Sequence, residues 1–225
     1  KRLLFLGSSC IYPKFATQPF KEEYLLNGNL EPTNEGYALA KICGLKLCQF
    51  LKNEHNFDAI SVMPPNLYGS NDNFSLQNSH VIPGLIRKFH EAKISGAKDV
   101  KCWGSGKPKR EFMYVEDLID CCIYLLKFWE PKEFDSQNRI LNYINVGTGE
   151  DISIINLANL IKKTVGYEGN IIWDTSMPDG SPQKLLDIQR LNNLGWKHSI
   201  DLEKGLKMTY EDFLKQYKSK SLRDL

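Results

Sequence analysis

Residues 2–13 read Arg-Leu-Leu-Phe-Leu-Gly-Ser-Ser-Cys-Ile-Tyr-Pro, a short apolar run that ends in small hydroxyl residues. The apolar residues before Gly7 predict a buried strand, and the residues after it predict a loop at the carboxyl end of that strand. In open α/β sheets, ligands bind just beyond the carboxyl ends of the strands. We therefore expect a binding site close to Ser8.

Tyr37 and Lys41 follow in the run Asn-Glu-Gly-Tyr-Ala-Leu-Ala-Lys, which ends at Lys41. Residues four apart on a helix project from one face, so the phenol and the ammonium are expected to be neighbours. A nearby positive charge favours the phenolate form of a tyrosine, whose ordinary pKa is about 10. The spacing alone is more typical of an exposed tyrosine beside a solvated lysine. Together with the strand end at Ser8, it predicts a proton-transfer pair.

Composition predicts an ordinary globular protein, because 42% of the 225 residues are hydrophobic and 25% are charged. The net charge of +2 is too small to favour nucleic acid or a membrane surface as a partner. No apolar run approaches the roughly 20 residues of a membrane-spanning helix. The six cysteines include no Cys-x-x-Cys pair. We therefore expect neither a disulfide framework nor a metal site, and a reducing cytoplasm as the location.

Strand and helix patterns alternate along the chain, which predicts a parallel α/β sheet with a smaller second lobe. Later strands are expected near 58–63, 99–103, 141–146 and 170–173, and helices near 35–52, 83–93, 115–129, 154–165, 188–194 and 202–217. Residues 66–74 and 104–108 are expected to be loops. In the first helix the buried face is expected to be Leu39, Cys43, Leu47 and Phe50. Gly44 in that helix is tolerable if a neighbour packs closely against it.

Three motifs in this order carry a family resemblance: Ser8-Ser-Cys-Ile-Tyr12, Tyr37-x-x-x-Lys41 and Pro64-x-Asn-x-Tyr-Gly69. With them the chain resembles the extended branch of the short-chain dehydrogenase/reductase superfamily, whose members act on nucleotide sugars. The resemblance implies the C-terminal part of a Rossmann-type parallel sheet with a smaller α/β substrate-binding lobe. It also implies that Ser8 holds the substrate oxygen, that Tyr37 is the general acid or base, and that Lys41 favours the phenolate and binds the nicotinamide ribose.

Cys10 and His80 narrow the resemblance within that branch. With the stretches 31–35, 65–69, 145–149 and 184–187, they are similar to members that epimerise a GDP-linked 4-keto-6-deoxyhexose at C3 and C5 and then reduce it. Thiols and imidazoles, with ordinary pKa values of about 8.5 and 6.5, can exchange protons near neutrality. The expectation is that Cys10 is the base and His80 the acid, with the reverse order at one carbon left open. A structural cysteine and a surface histidine are the alternatives.

The resemblance implies NADPH/NADP+ as the cofactor and a GDP-sugar as the substrate. The expected cofactor-binding residues are Leu6, Gly7, Ser8, Ser9, Tyr37, Lys41, Pro64, Pro65, Asn66, Leu67 and His80. The expected substrate-binding residues are Lys88, Trp103, Arg110, Asp179 and Lys184. Arg110 lies in a basic turn that suits a pyrophosphate. Trp103 could stack on the base or fill a small core, and Pro-Asp-Gly around Asp179 is equally a plain turn signal.

The family pattern also predicts how the chain is divided. Residues 1–67 are expected to be the remaining part of a dinucleotide-binding domain, to which segments near 115–150 return, and residues 68–225 to be mainly the GDP-sugar lobe. The chain begins in a strand and contains no Gly-x-x-Gly-x-x-Gly, so we expect it to be the C-terminal two-thirds of a longer enzyme. A homodimer is expected as well.

Two other functions remain open from the sequence. One is a 4-epimerase or dehydratase of the same branch, although Cys10 and Ile11 supply none of the carboxylates that dehydratases carry beside this serine. The other is a catalytically inactive fragment that only binds a nucleotide sugar. The first alternative would keep NAD bound and would not consume NADPH, and the second would bind cofactor weakly or not at all.

Overall fold

Short apolar segments and amphipathic segments alternate in this chain, and each type forms its own kind of element. The computed structural model describes residues 1–222. Its strands are β1 Leu3–Leu6, β2 Ala59–Met63, β3 Asn66–Tyr68, β4 Asp99–Trp103, β5 Lys109–Tyr114, β6 Tyr143–Asn145, β7 Asp151–Ser153, β8 Asn170–Asp174 and β9 Gln183–Lys184. Its helices are α1 Glu35–His55, α2 Val81–Ser95, α3 Val115–Phe128, α4 Ile154–Val165, α5 Gln189–Asn193 and α6 Leu202–Lys218.

A parallel sheet with the strand order β1-β2-β6 contains the first quoted motif. Every residue of β2 is buried, as expected of a central parallel strand. Leu6 pairs with Val62, so β1 and β2 end side by side. Helix α1 packs against both strands. This arrangement confirms the expected parallel α/β architecture and brings the residues that follow β1 and β2 to one edge of the sheet.

A second parallel pair joins β4 to β8, with the register running from Asp99 opposite Asn170 to Trp103 opposite Asp174. Burial alternates along β4, where Val100 and Cys102 face the interior. Helix α4 packs against α2 and α6 in the same part of the chain. The expected helices at 83–93, 154–165 and 202–217 are therefore confirmed, with ends that shift by at most two residues.

A third sheet has the order β3-β5-β7, with β9 paired to β5. The sequence-based prediction was wrong for residues 66–68, which it included in the loop 66–74, and it placed no strand at β5, β7 or β9; residues 69–74 form a loop as expected. Three of these strands have two or three residues, which is too short to show a period of two. The six residues of β5 begin in the basic turn, and the last four of them are all buried, without alternation.

The buried face of α1 also differs from the expected one. The helix buries Ala38, Ile42, Leu45, Cys48 and Gln49, whereas Leu39, Leu47 and Phe50 are 43–58% exposed and Cys43 is exposed too. Both rows recur at helical spacing, so periodicity did not discriminate between them. The inner row includes Ala38, and Gly44 faces the Phe5 ring so closely that an added Cβ would overlap it. This contact confirms the condition under which Gly44 was expected to be tolerated.

The chain forms two compact units. The first contains residues 1–66, 111–151 and 183–199, and the second contains residues 67–110, 152–182 and the described residues from 200 onwards. Dinucleotide binding by residues 1–67 and sugar binding by residues 68–225 stay predictions. Within residues 1–222, no helix combines the length and apolar character needed to cross a membrane.

Candidate active site

Tyr37 and Lys41 lie in the first two turns of α1, beside the carboxyl end of β1. The Nζ atom of Lys41 donates a hydrogen bond to the carbonyl oxygen of Leu6 at 2.8 Å. The same atom lies 5.6 Å from the centre of the Tyr37 ring and 5.4 Å from that of Phe5. The Tyr37 side chain is about half exposed, at 49%. The structure therefore places a solvent-accessible phenol and an ammonium together at the end of a parallel strand.

The turn after β1 holds Ser8 and Cys10. Ser8 precedes the 3-10 turn Ser9–Ile11, and its Oγ accepts the N–H of Cys10 at 3.2 Å. The N–H of Ser9 donates to the carbonyl of Pro64 at 3.0 Å, which ties the turn to the end of β2. Ser8, Ser9 and Ile11 are buried and Cys10 is half-buried. The Ser8 hydroxyl keeps its own proton for a further acceptor, because the oxygen serves Cys10 only as an acceptor.

Lys184 approaches the same turn from β9. Its Nζ atom lies 3.6 Å from the Sγ atom of Cys10, within the first unit. From the sequence, Lys184 was expected to contact the GDP-sugar. The contact with a thiol was not foreseen, since Lys184 and Cys10 are 174 residues apart in the sequence.

The remaining residues expected around the cofactor follow the ends of β1 and β2. Gly7 is buried, and its N–H donates to Val62. Pro64 is buried and Pro65 is half-buried. The exposed Asn66 donates from Nδ2 to the carbonyl of Glu111 at 2.9 Å. Leu67, the last residue of this stretch, is half-buried and belongs to the second unit.

Glu111 is a residue that the sequence reading missed. Its side chain is fully buried, and its Oε1 accepts the N–H groups of Thr148 and Gly149 at 2.6 and 2.9 Å. Its Oε2 accepts the N–H of Leu186 at 2.9 Å. Burial raises the pKa of Glu111, while these backbone donors favour the ionised form. The carboxylate thus holds the loop after β6 and the segment after β9 in place. The only feature of the sequence that could have indicated a role for Glu111 is its position beside the basic turn.

In the second unit, three of the expected site residues line one cavity. His80 is the exposed residue that precedes α2, and Lys88 lies two turns further along that helix. The cavity has a volume of about 250 Å³ and is lined by His80, Lys88 and Trp103 together with Cys102 and Trp173. The Lys88 Nζ atom lies 5.2 Å from the centre of the Trp103 ring, a cation–π contact. Trp173 was missed, because its place on β8 gave it no motif.

Arg110 and Asp179 lie near each other at another place in the second unit. The Asp179 carboxylate accepts both the N–H and the hydroxyl of Ser105, at 2.6 and 2.7 Å, and these donors lower its pKa. The Arg110 guanidinium lies beside the same turn, since an added Cβ at Gly180 would be 3.6 Å from its Nη2. Arg110 Nη1 donates to the carbonyl of Lys109 at 2.8 Å. In this structure Asp179 therefore fixes a loop.

The expected site residues are thus distributed over both units. Cys10, the candidate base, belongs to the first unit, and His80, the candidate acid, belongs to the second. Among residues 1–222, no group of three or more histidine, cysteine, aspartate or glutamate side chains is arranged to hold a metal ion. The chemistry present is that of a phenol, a hydroxyl, a thiol and several cations.

Comparison with known proteins gives concordant matches. The model of the NAD dependent epimerase/dehydratase family matches residues 1–140. The chain is 54% identical over 213 residues to the GDP-L-fucose synthase of Escherichia coli (strain K12), covering 95% of this chain and 66% of that protein. It is 53% identical over 214 residues to the putative GDP-L-fucose synthase 2 of Arabidopsis thaliana, covering 95% of this chain and 62% of that protein.

Two solved structures are similar over almost the whole chain. A GDP-6-OMe-4-keto-L-xylo-heptose reductase from C. jejuni has a TM-score of 0.90 and 36% identity, covering 96% of this chain and 71% of that one. A GDP-L-fucose synthetase from Naegleria fowleri bound to NADP has a TM-score of 0.84 and 29% identity, covering 97% of this chain and 68% of that one. The chain spans 62–66% of the length of the first curated relatives it matches.

Proposed function

The chain belongs to the NAD dependent epimerase/dehydratase family, and on that basis we propose that it converts GDP-4-keto-6-deoxy-D-mannose to GDP-L-fucose. The conversion comprises epimerisation at C3 and C5 followed by reduction of the C4 ketone with NADPH. The observation that carries the proposal is the joint placement of Tyr37, Lys41, Ser8 and Cys10 around the carboxyl end of β1. Relatives that are named GDP-L-fucose synthase and are 51–54% identical support the choice of reaction.

The donors at this strand end fit a nicotinamide ribose. The ammonium of Lys41 has three N–H donors, and the Leu6 carbonyl takes one, so others remain for ribose hydroxyls. The exposed Leu6 side chain and the half-buried Pro65 offer apolar contacts nearby. Bound NADPH supplies the hydride that reduces the C4 ketone. The eleven residues from Leu6 to His80 that the resemblance implies remain the proposed cofactor contacts.

Epimerisation requires a proton to leave C3 or C5 from one face and another to return from the opposite face. The C4 ketone makes both protons acidic, because it stabilises the enolate that forms when either one leaves. Cys10 is the proposed base and His80 the proposed acid, and the reverse order at one carbon is the alternative. Ser8 and Tyr37 donate hydrogen bonds to the enolate oxygen and so lower the barrier.

Reduction uses the same phenol. Tyr37 protonates the C4 oxygen during reduction, and the adjacent Lys41 ammonium stabilises the phenolate that remains. This role needs an accessible hydroxyl, and the half-exposed Tyr37 side chain meets that requirement. Lys88, Trp103, Arg110, Asp179 and Lys184 are the proposed contacts of the GDP-sugar. The cavity that contains Lys88 and Trp103 supports the first two, and the guanidinium of Arg110 suits a pyrophosphate.

The proposal extends to assembly and location. A homodimer is supported by the exposed apolar row Leu39, Cys43, Leu47 and Phe50 on α1. A reducing compartment such as the cytoplasm is supported by six free cysteines within the described residues.

The test is proton exchange in heavy water. The protein is incubated with GDP-4-keto-6-deoxy-D-mannose without NADPH, and deuterium entry at C3 and C5 is followed by mass spectrometry and NMR. We expect exchange at both carbons, abolished by Cys10→Ser and weakened by His80→Asn. Tyr37→Phe should slow exchange at both carbons without abolishing it, because Ser8 alone then donates to the enolate oxygen, and should lower the rate of NADPH oxidation by about 10²–10⁴-fold.

Cys43→Ser is the matched control, because Cys43 is an exposed thiol in the same unit. It should leave exchange and reduction unchanged. A folded protein that reduces the ketone but exchanges neither proton would be a plain reductase, and the proposed roles of Cys10 and His80 would be wrong. A protein that binds the GDP-sugar and does neither would be a binding module.

A further inference from the structure

The Lys184 ammonium has the Cys10 thiol as its neighbour and no carboxylate. Its Nζ atom lies 3.6 Å from Sγ, and within residues 1–222 no aspartate or glutamate oxygen lies within 4.0 Å of it. Lysine side chains are seldom removed from water without an anionic partner. Lys184 is half-buried. The arrangement is satisfied when Cys10 is a thiolate, because the two charges then pair.

We propose that Lys184 is a positioning residue that holds Cys10 in its thiolate form. A thiolate, and not a thiol, acts as a nucleophile or base, and lysine or arginine beside a cysteine stabilises it. The inference rests on the proposed function only for its consequence, because the ion pair itself can be measured without substrate. Lys184 would then assist proton transfer by Cys10, which a residue that only contacts the GDP-sugar would not do.

The backbone on both sides of Lys184 is fixed by a glutamine. Gln18 donates from Nε2 to the carbonyl of Gln183 at 3.2 Å, and its Oε1 accepts the N–H of Leu185 at 2.9 Å. A single side chain thus brackets the lysine. The N–H of Phe20 adds a hydrogen bond to the carbonyl of Leu185 at 2.8 Å. These bonds hold β9 beside the segment that follows Cys10.

The residues that follow β9 are also held in place, by buried contacts and backbone hydrogen bonds. Leu186 is 2% exposed, and its N–H donates to the Glu111 carboxylate. The N–H of Asp187 donates to the carbonyl of Phe20 at 2.8 Å. The ordering of this segment does not depend on Lys184 itself, so replacing the lysine should leave the fold intact.

Three other carboxylates lie along the segments around β9 in the first unit, and each has donors of its own. Asp151 accepts from Nε2 of Gln183, and Glu111 accepts from three backbone N–H groups. Asp187 accepts the N–H of Gln189 at 2.9 Å. Arg190, the nearest other cation along this segment, is paired with Glu22, Glu23 and Glu133. Of the two cations on this segment, Lys184 is therefore the one that has the Cys10 thiol as its neighbour.

The test measures alkylation of Cys10 by iodoacetamide in the purified protein without substrate, followed peptide by peptide with mass spectrometry. At about pH 7, Lys184→Met should slow the reaction at Cys10 about tenfold, because fewer thiols are ionised. The rates of the two proteins should converge at about pH 10, where cysteines ionise without help. Lys184→Arg should retain most of the rate, and Gln18→Leu should lower it by an intermediate factor.

Two controls separate charge from fold. The far-UV circular dichroism spectrum and the urea midpoint should be the same in every variant, which shows that the fold is kept. Lys14→Met removes a lysine of the same unit that is paired with Glu31, and should leave Cys10 unchanged. An equal Cys10 rate in Lys184→Met and the unmodified protein, with the fold unchanged, would overturn the proposal. So would a loss that persists at high pH, since that would reflect access to the thiol and not its ionisation.

Deuterium exchange then separates this inference from the proposed function. If Lys184→Met slows both alkylation and exchange at C3 or C5, the pair assists epimerisation. Slower alkylation in a protein that never exchanges would sustain the pair and contradict the proposed function. Normal alkylation with weaker binding of the GDP-sugar would overturn the pair and leave Lys184 as a substrate contact.

Discussion

His90 lies on the side of α2 that meets α6, where three aromatic rings surround it. Its Nδ1 atom is 3.0 Å from the hydroxyl of Tyr210, and its ring contacts those of Phe213 and Tyr217 at centre distances of 5.0 and 4.8 Å. Burial lowers the pKa of His90, and the nearby Lys93 lowers it further. The folded state therefore favours the neutral imidazole.

This shift predicts a pH dependence of stability. Above about pH 6.5 the histidine is neutral in both states, and below it the unfolded chain binds the proton more readily than the folded one. The free energy of unfolding should therefore fall as the pH drops from about 6.5 through the lower folded pKa. His90→Phe should make this fall shallower in urea titrations. His55→Asn, at an exposed histidine, is the control, and equal slopes for all three proteins would contradict the prediction.

The burial of Glu111 could not be predicted from its neighbours in the sequence. It follows Lys109 and Arg110 and so has the pattern of a solvated charged turn. In the structure it is buried, and its charge is compensated by backbone N–H groups rather than by a cation. The N–H donors that make this burial possible lie 37 and 75 positions further along the chain, so no local sequence pattern indicates them.

Among the elements, helix α1 contributes to the core with one face and to the candidate active site with another. One face packs Ile42 and Leu45 into the core, and the first two turns present Tyr37 and Lys41 at the end of β1. Its start at residue 35 and the spacing of the pair were predictable, because both depend on neighbouring residues alone. Which apolar face would be buried depended on the sheet, and the expectation was wrong.

Two glycines of α1 give a matched pair of substitutions. Gly36→Ala should stabilise the protein by about 0.5–1 kcal/mol, because nothing lies within 4 Å of the added Cβ and alanine reduces the freedom of the unfolded chain. Gly44→Ala should destabilise it by about 1–3 kcal/mol, because the Phe5 ring has to move. Urea unfolding measures both. Effects of the same sign at the two positions would mean that the close contact with Phe5 does not govern the stability.

The short strands β7 and β9 show what sequence patterns cannot predict. β7 and β9 have three and two residues, and they exist because β5 lies where they can pair with it. Lys184 on β9 was identified as a site residue by its motif, but its neighbour Cys10 became visible only with the strand in place.

At the scale of the whole molecule, the exposed apolar row of α1 bears on assembly. Leu39, Leu47 and Phe50 lie on one side of a long helix, and a continuous row of this kind typically marks an interaction surface. The proposed homodimer would bury it.

A charged residue substituted into this row should therefore disrupt the proposed dimer and lower the molar mass measured in solution. Leu47→Lys, at a side chain that is 58% exposed, should convert a dimer to a monomer in light scattering, with little loss of stability since the leucine is outside the core. Ile94→Lys, at a similarly exposed position on α2, should leave the mass unchanged. A monomeric unmodified protein, or a dimer in both variants, would contradict the proposal.

The parallel α/β class and the Tyr37–Lys41 pair were predictable from residue patterns alone, because strand and helix periods and four-residue spacing are local properties. The same patterns also placed Ser8 and Cys10 at a strand end. Three features became known only from the folded chain: the buried face of α1, the burial of Glu111 and the contact of Lys184 with Cys10. Each of these depends on atoms that are distant in the chain, and their proximity is set by packing and backbone hydrogen bonds.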